Sequence, residues 1–147
     1  MSRGVVHILL VEDNPGDVRL TREAFKDARI PLELNVVSDG VEALDFLRRR
    51  GAYSQSPRPD LILLDLNLPR MDGRVVLEEL KADLTLKSLP VIILSVSSAP
   101  EDIEYSYARH ANCYVAKPEQ LDGFKNVVRG VDEFWLSSLS DLKRGRG

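Results

Sequence analysis

The chain has 147 residues, 44% of them hydrophobic and 29% charged, with a formal net charge of -3 at pH 7. That length holds one domain with a full core but not two ordinary ones, and apolar residues interspersed with charge exclude a disordered chain. The mildly acidic balance gives no electrostatic footprint for DNA, no apolar stretch approaches the roughly 20 residues that span a bilayer, and the lone Cys113 excludes an internal disulfide.

The amino terminus, Met1 to Val11, lacks the apolar region of a secretory signal, so the protein is expected in the cytoplasm and off the membrane. His7 to Val11 reads as a strand, and it runs into Glu12-Asp13-Asn14-Pro15-Gly16-Asp17. Pro15 suits the first turn of a helix, and Val18, Thr21, Ala24, Phe25 and Ala28 keep helical spacing up to Pro31. Leu32 to Val37 alternates apolar and polar residues, as a strand near an edge does. Ser38-Asp39-Gly40 then turns into a helix carrying Val41, Leu44, Phe46 and Leu47. Arg48 to Pro59 has no apolar period and is rich in turn residues, so it is expected as a surface loop.

Leu61-Ile62-Leu63-Leu64 is apolar throughout, as a strand buried on both faces is, and it ends at Asp65 because Pro69 and Gly73 cannot continue it. Val75, Val76, Leu77 and Leu80 mark a helix from Gly73 to about Asp83. Pro90 to Leu94 is another buried strand, ending at Ser95. Ser98-Ala99-Pro100-Glu101 has the pattern of a capping box, and the helix it opens carries Ile103 and Tyr107. Cys113 to Ala116 is a fifth short strand, ending at Lys117-Pro118. The last helix holds Leu121, Phe124, Val127, Val128, Val131, Phe134 and Trp135 at three-and-four spacing. Strands alternating with helices imply right-handed crossovers and an α/β domain whose parallel sheet is covered on both faces. The domain is expected over residues 1–136, with a basic, disordered tail over 137–147.

The carboxyl ends of parallel strands share one edge, where such sheets place their ligands. This layout gathers Glu12, Asp13, Asp65, Ser95 and Lys117. Clustered acids repel one another and stay ionised only beside a cation, for which the hard, oxygen-seeking Mg2+ fits. Ser95 and Lys117 are suited to a phosphoryl group's oxygens, so the chemistry suggested is phosphoryl transfer to a carboxylate.

Four segments in order carry a resemblance: Val11-Glu12-Asp13-Asn14, Asp65-Leu66-Asn67-Leu68-Pro69-Arg70-Met71-Asp72-Gly73, Ser95 after Pro90 to Leu94, and Tyr114-Val115-Ala116-Lys117-Pro118. Together they resemble the receiver domain of two-component response regulators, over about residues 5 to 136. The resemblance implies a flavodoxin-like fold of five strands and five helices in the strand order 2-1-3-4-5. It makes Asp65 the acceptor of a phosphoryl group from a histidine kinase. It gives Mg2+ to Glu12, Asp13, Asp65 and the carbonyl of Asn67, and the phosphoryl oxygens to Ser95 and Lys117. It makes the Lys117–Pro118 peptide cis and Tyr114 an aromatic that swings inward as Ser95 moves.

Plainer roles stand beside these. Ser95 also fits a turn, Tyr114 a half-buried strand face, and Asp72 the support of the turn before Gly73; His7 and His110 read as structural or surface residues. Val96, where the family usually carries a smaller residue, together with Asn67 and Ser97, implies an aspartyl phosphate longer-lived than in chemotaxis-type regulators. With no second domain expected after residue 136, output would be altered protein binding, not DNA binding or a fused enzyme activity. The long Arg48 to Pro59 loop and the Asp132-Glu133-Phe134-Trp135-Leu136 ending resemble regulators paired with bacterial phytochrome kinases. That subgroup implies a homodimer through the Ser98 helix, the Cys113 strand and the last helix. The alternatives are an aspartyl-phosphate phosphohydrolase, which would need an acid where Asn67 stands, and a flavodoxin-like electron carrier, whose flavin phosphate Glu12-Asp13 would repel.

Overall fold

The computed structural model describes residues 5–96, 100–108, 111, 113–118 and 120–145, without the side chains of 113 and 134–145. Five strands, β1 (Val6–Val11), β2 (Leu32–Val37), β3 (Leu61–Leu64), β4 (Val91–Ser95) and β5 (Cys113–Ala116), form one parallel sheet in the order β2-β1-β3-β4-β5. Five helices connect and follow them: α1 (Pro15–Phe25), α2 (Gly40–Arg48), α3 (Gly73–Ala82), α4 (Pro100–Ala108) and α5 (Leu121–Gly145). The expected α/β architecture and strand order are the ones found, with the alternating strand β2 at an edge.

Successive strand side chains point to opposite faces, so each all-apolar strand feeds two cores. On one face Leu9, Val11, Ile62, Leu64, Val91 and Ile93 pack with Ala43, Leu44 and Leu47 of α2 and Val76, Leu77 and Leu80 of α3. On the other, Ile8, Leu10, Leu61, Leu63 and Leu94 meet Ala24 and Phe25 of α1 and Phe124, Val128 and Val131 of α5. Register then fixes the functional edge: Val11 lies beside Val37 and Leu64, Leu64 beside Ile93, and Ser95 beside Ala116.

Four local readings change. Helix α1 stops at Phe25, short of Pro31, because the Asp27 and Ala28 N–H groups bond three residues back, to Ala24 and Phe25, and tighten the chain out of the helix. The Arg48 to Pro59 segment is not simply a solvated loop: a short 3-10 turn, Gly51–Tyr53, sets the Tyr53 ring 5.5 Å from Phe46 and its hydroxyl 2.7 Å from Glu42. Helix α5 runs to Gly145, past residue 136 where the sequence closed the domain. Cis peptide bonds are absent among the described residues, so the Lys117–Pro118 bond is trans. The cis isomer is not needed to aim the lysine, whose ammonium reaches the acids from the trans peptide.

Candidate functional site

The site is built where strands end. Backbone bonds from Glu12 N–H to the Val37 carbonyl, 3.0 Å, and from Asp65 N–H to the Val11 carbonyl, 3.1 Å, hold the two acids side by side on the sheet edge. Carboxylate oxygens of Glu12, Asp13 and Asp65 lie within 4.8 Å of one another. Glu12 and Asp65 are buried, at 2% and 5% exposure, while Asp13 faces solvent. Opposite them, the Lys117 N–H donates to the Ser95 carbonyl at 2.6 Å, fixing where the lysine leaves β5. Its Nζ lies 2.7 Å from Glu12 Oε1, 3.0 Å from Asp17 Oδ2 and 3.1 Å from Asp65 Oδ2.

Three carboxylates therefore share one ammonium, with Asp13 close by. Burial pushes Glu12 up to about 7, against the lowering hydrogen bonds from Lys117 and from the Asn14 N–H. For Lys117 burial acts to lower the pKa, but the hydrogen bonds to Glu12 and Asp17 and the charges of Asp65 and Glu12 outweigh it and hold the ammonium above its ordinary range. The excess of negative charge is what a divalent cation would relieve. Three carboxylates gathered within 4.8 Å of one another supply the oxygen donors that a hard ion, which keeps several waters, prefers. Glu12, Asp13 and Asp65 are thus the residues able to hold one.

Asp65 is also tied to its own loop, because the Asn67 N–H donates to Asp65 Oδ1 at 3.0 Å. The chain can turn here only because Gly73 folds back onto it. A Cβ at Gly73 would sit 2.1 Å from the Asp65 carbonyl oxygen, and the Gly73 N–H bonds the Leu66 carbonyl at 2.9 Å. Asp72 caps α3 by accepting from the Arg74 N–H at 2.8 Å, in keeping with a role in the turn and outside the metal cluster. Ser95 is fully buried at the end of β4. Tyr114 is half-buried against the α2–α3 core, and its N–H donates to the Tyr107 hydroxyl at 3.2 Å. Val96 is 69% exposed on the rim beyond Ser95. Ser97, Ser98, Ala99 and His110 lie outside the described residues, as do the side chains of Cys113, Phe134 and Trp135.

Reading the sequence missed Asp17. Asn14 caps α1 by accepting from the Asp17 N–H at 3.1 Å, so Asp17 stands in the first helical turn, over the sheet edge that carries Glu12. The signal was present in the spacing, since an acid three residues after a cap faces back toward the strand that precedes it.

Residues 8–129 match the response regulator receiver domain. This chain belongs to that family. It is 46% identical over 133 residues to the response regulator Rcp1 of Synechocystis sp., covering 90% of each chain. Among solved structures it is similar to the phosphorylated cyanobacterial phytochrome response regulator RcpA, with 50% identity, a TM-score of 0.85 and coverage of 92% of this chain and 96% of that one. It is also similar to the Mn2+-bound form of Rcp1, with 46% identity, a TM-score of 0.82 and coverage of 89% and 94%. As a receiver domain of a response regulator it belongs with signalling proteins, and neither the phosphohydrolase nor the electron carrier is favoured by any feature of the site. No helix among the described residues is long and apolar enough to cross a membrane.

Proposed function

We propose that this receiver accepts a phosphoryl group on Asp65 from a sensor histidine kinase, with Mg2+ required, and signals by changing which proteins it binds. The observation that carries this reading is Lys117 Nζ held between Asp65 and Glu12 beside a three-carboxylate cluster. Asp65 is the nucleophile: one carboxylate oxygen bonds to phosphorus as the donor's bond to phosphorus breaks, and the electron pair leaves with the donor. Glu12, Asp13, Asp65 and the Asn67 carbonyl would hold the ion, whose bound charge offsets that of the incoming phosphoryl oxygens. Lys117 supplies a fixed positive charge to those oxygens, and Ser95 a hydroxyl donor at the adjacent strand end. The new group adds about two negative charges, which draw Ser95 and Lys117 and shift the neighbouring loop. Tyr114, next to that loop, turns inward with the shift.

The kinase is read as a bacterial phytochrome, in line with the likeness to the phytochrome regulator RcpA. Copies of the chain pair through α4, β5 and α5; the half-exposed Tyr107 on α4 and the run of α5 to Gly145 support that surface. The receiver works in the cytoplasm, binds no DNA, and catalyses no reaction other than its own phosphorylation and dephosphorylation. Incubation with acetyl phosphate and Mg2+ tests the central step: a mass gain of one phosphoryl group is expected, lost in Asp65→Asn and on chelation of the metal. Labelling that survives either change would remove the reading.

A further inference from the structure

The loop between β3 and α3 carries a backbone feature that the roles above leave unused. Arg70 adopts a φ of 65°, one of two non-glycine residues with positive φ among those described. The Met71 N–H donates to the Pro69 carbonyl at 2.7 Å across it. A two-residue hydrogen bond spanning a positive φ is the strained form of γ-turn, which an L side chain with a Cβ adopts only when its surroundings hold it there.

Asp39 is the group in position to do so. It is 5% exposed, with both carboxylate oxygens engaged. Oδ1 accepts from the Glu42 N–H at 2.8 Å and caps α2, while Oδ2 accepts from Arg70 Nη1 at 3.2 Å. The next residue shows how closely the loop lies on this helix end, since a Cβ at Gly40 would stand 2.3 Å from the Met71 carbonyl oxygen. A rigid helix terminus thus grips the loop three residues after Asn67 and five after Asp65.

We propose that Arg70 and Asp39 form a clamp that sets the β3–α3 loop in place for the divalent ion, making both positioning residues for the metal site. The inference rests on the ligand set proposed above, the Asn67 carbonyl included. Without the clamp the loop has to be ordered each time the ion binds, and affinity falls by the amount typical of lost outer support, about tenfold or more.

Two substitutions separate this role from a structural one. Arg70→Gly removes the side chain while glycine keeps the left-handed backbone without strain. Asp39→Asn keeps a good helix cap while removing the charge that holds the guanidinium. The experiment is a Mg2+ titration of the full chain, followed by calorimetry, beside the thermal midpoint of the metal-free protein. Each single variant is expected to weaken Mg2+ binding about tenfold. Arg70→Gly should leave the metal-free midpoint unchanged or higher, and the double variant should bind no more weakly than either single one. Single variants binding within about twofold of the unsubstituted protein, or additive losses in the double variant, would overturn the clamp. A midpoint that falls in step with affinity in Arg70→Gly would overturn it too, by reassigning Arg70 to stability. An unsubstituted protein that binds no Mg2+ would instead remove the ligand set, and the clamp with it.

Discussion

Glu12 is the group on which the electrostatics of the site turn. It is buried among Asp65, Asp17 and a single ammonium, and burial raises it from an ordinary 4.5 to about 7. In the unfolded chain the same carboxyl loses its proton at the lower value, so between the two the folded state holds more protons. Stability of the metal-free protein therefore falls as pH rises from about 4.5 through about 7, a slope readable by urea denaturation at several pH values. A bound cation competes with that proton, so Mg2+ affinity should weaken about tenfold from about pH 8 to about pH 6. A flat profile over that range would show that Glu12 is ionised throughout. Lys117→Met leaves the buried acids without their counter-charge and is expected to destabilise the metal-free protein at neutral pH by about 3 to 5 kcal/mol. At this scale the sequence was legible wherever a residue sits at a strand end, because register alone delivers Glu12, Asp13, Asp65 and Lys117 to one edge. Asp17 was overlooked although its spacing from the Asn14 cap carried a signal; Asp39 and Arg70 were not legible, because their parts depend on how a strained loop meets a helix's first turn.

Among the elements, strands and helix starts were the easier part to read. Unbroken aliphatic runs between turn residues have one use in an α/β domain, and Asn14, Asp39 and Asp72 each cap a helix where the sequence began one. The Tyr53 turn was missed because tertiary packing against Phe46 and Glu42 decides it, and the end of helix α1 because its tightening three-residue bonds leave no mark in the apolar spacing. The glycines separate two kinds of constraint in a testable way. Gly73→Ala drives a methyl into the Asp65 carbonyl and the Leu66 Cα, 2.1 and 2.7 Å away, so the turn that presents Asp65 must shift. A loss of about 3 kcal/mol and a drop in phosphoryl uptake are expected, by urea denaturation and acetyl phosphate labelling. Gly130, on the exposed side of α5, has nothing within 4 Å of an added Cβ. Gly130→Ala should stabilise the fold by about 0.5 to 1 kcal/mol and leave labelling unchanged.

For the whole molecule, one sheet with helices on both faces leaves a single edge where side chains from different strands converge. The acidic cluster and its lysine meet there. The surface proposed for a partner runs from α4 through β5 to α5, beside the strand ends that carry Ser95 and Lys117. Sedimentation at high concentration, with and without acetyl phosphate, should detect a homodimer, and monomer alone in both conditions would contradict the pairing proposed for that surface. The rim residues Val96 and Asn67 are proposed to slow loss of the phosphoryl group, and a lifetime of seconds in purified protein would contradict that expectation.

The most direct measurement of the central claim is intact mass after incubation with acetyl phosphate and Mg2+, followed by peptide mapping of the modified residue. The account predicts one added phosphoryl group, located on Asp65, absent in Asp65→Asn and absent when the metal is chelated. A group found on another residue, or uptake that needs no divalent ion, would contradict it.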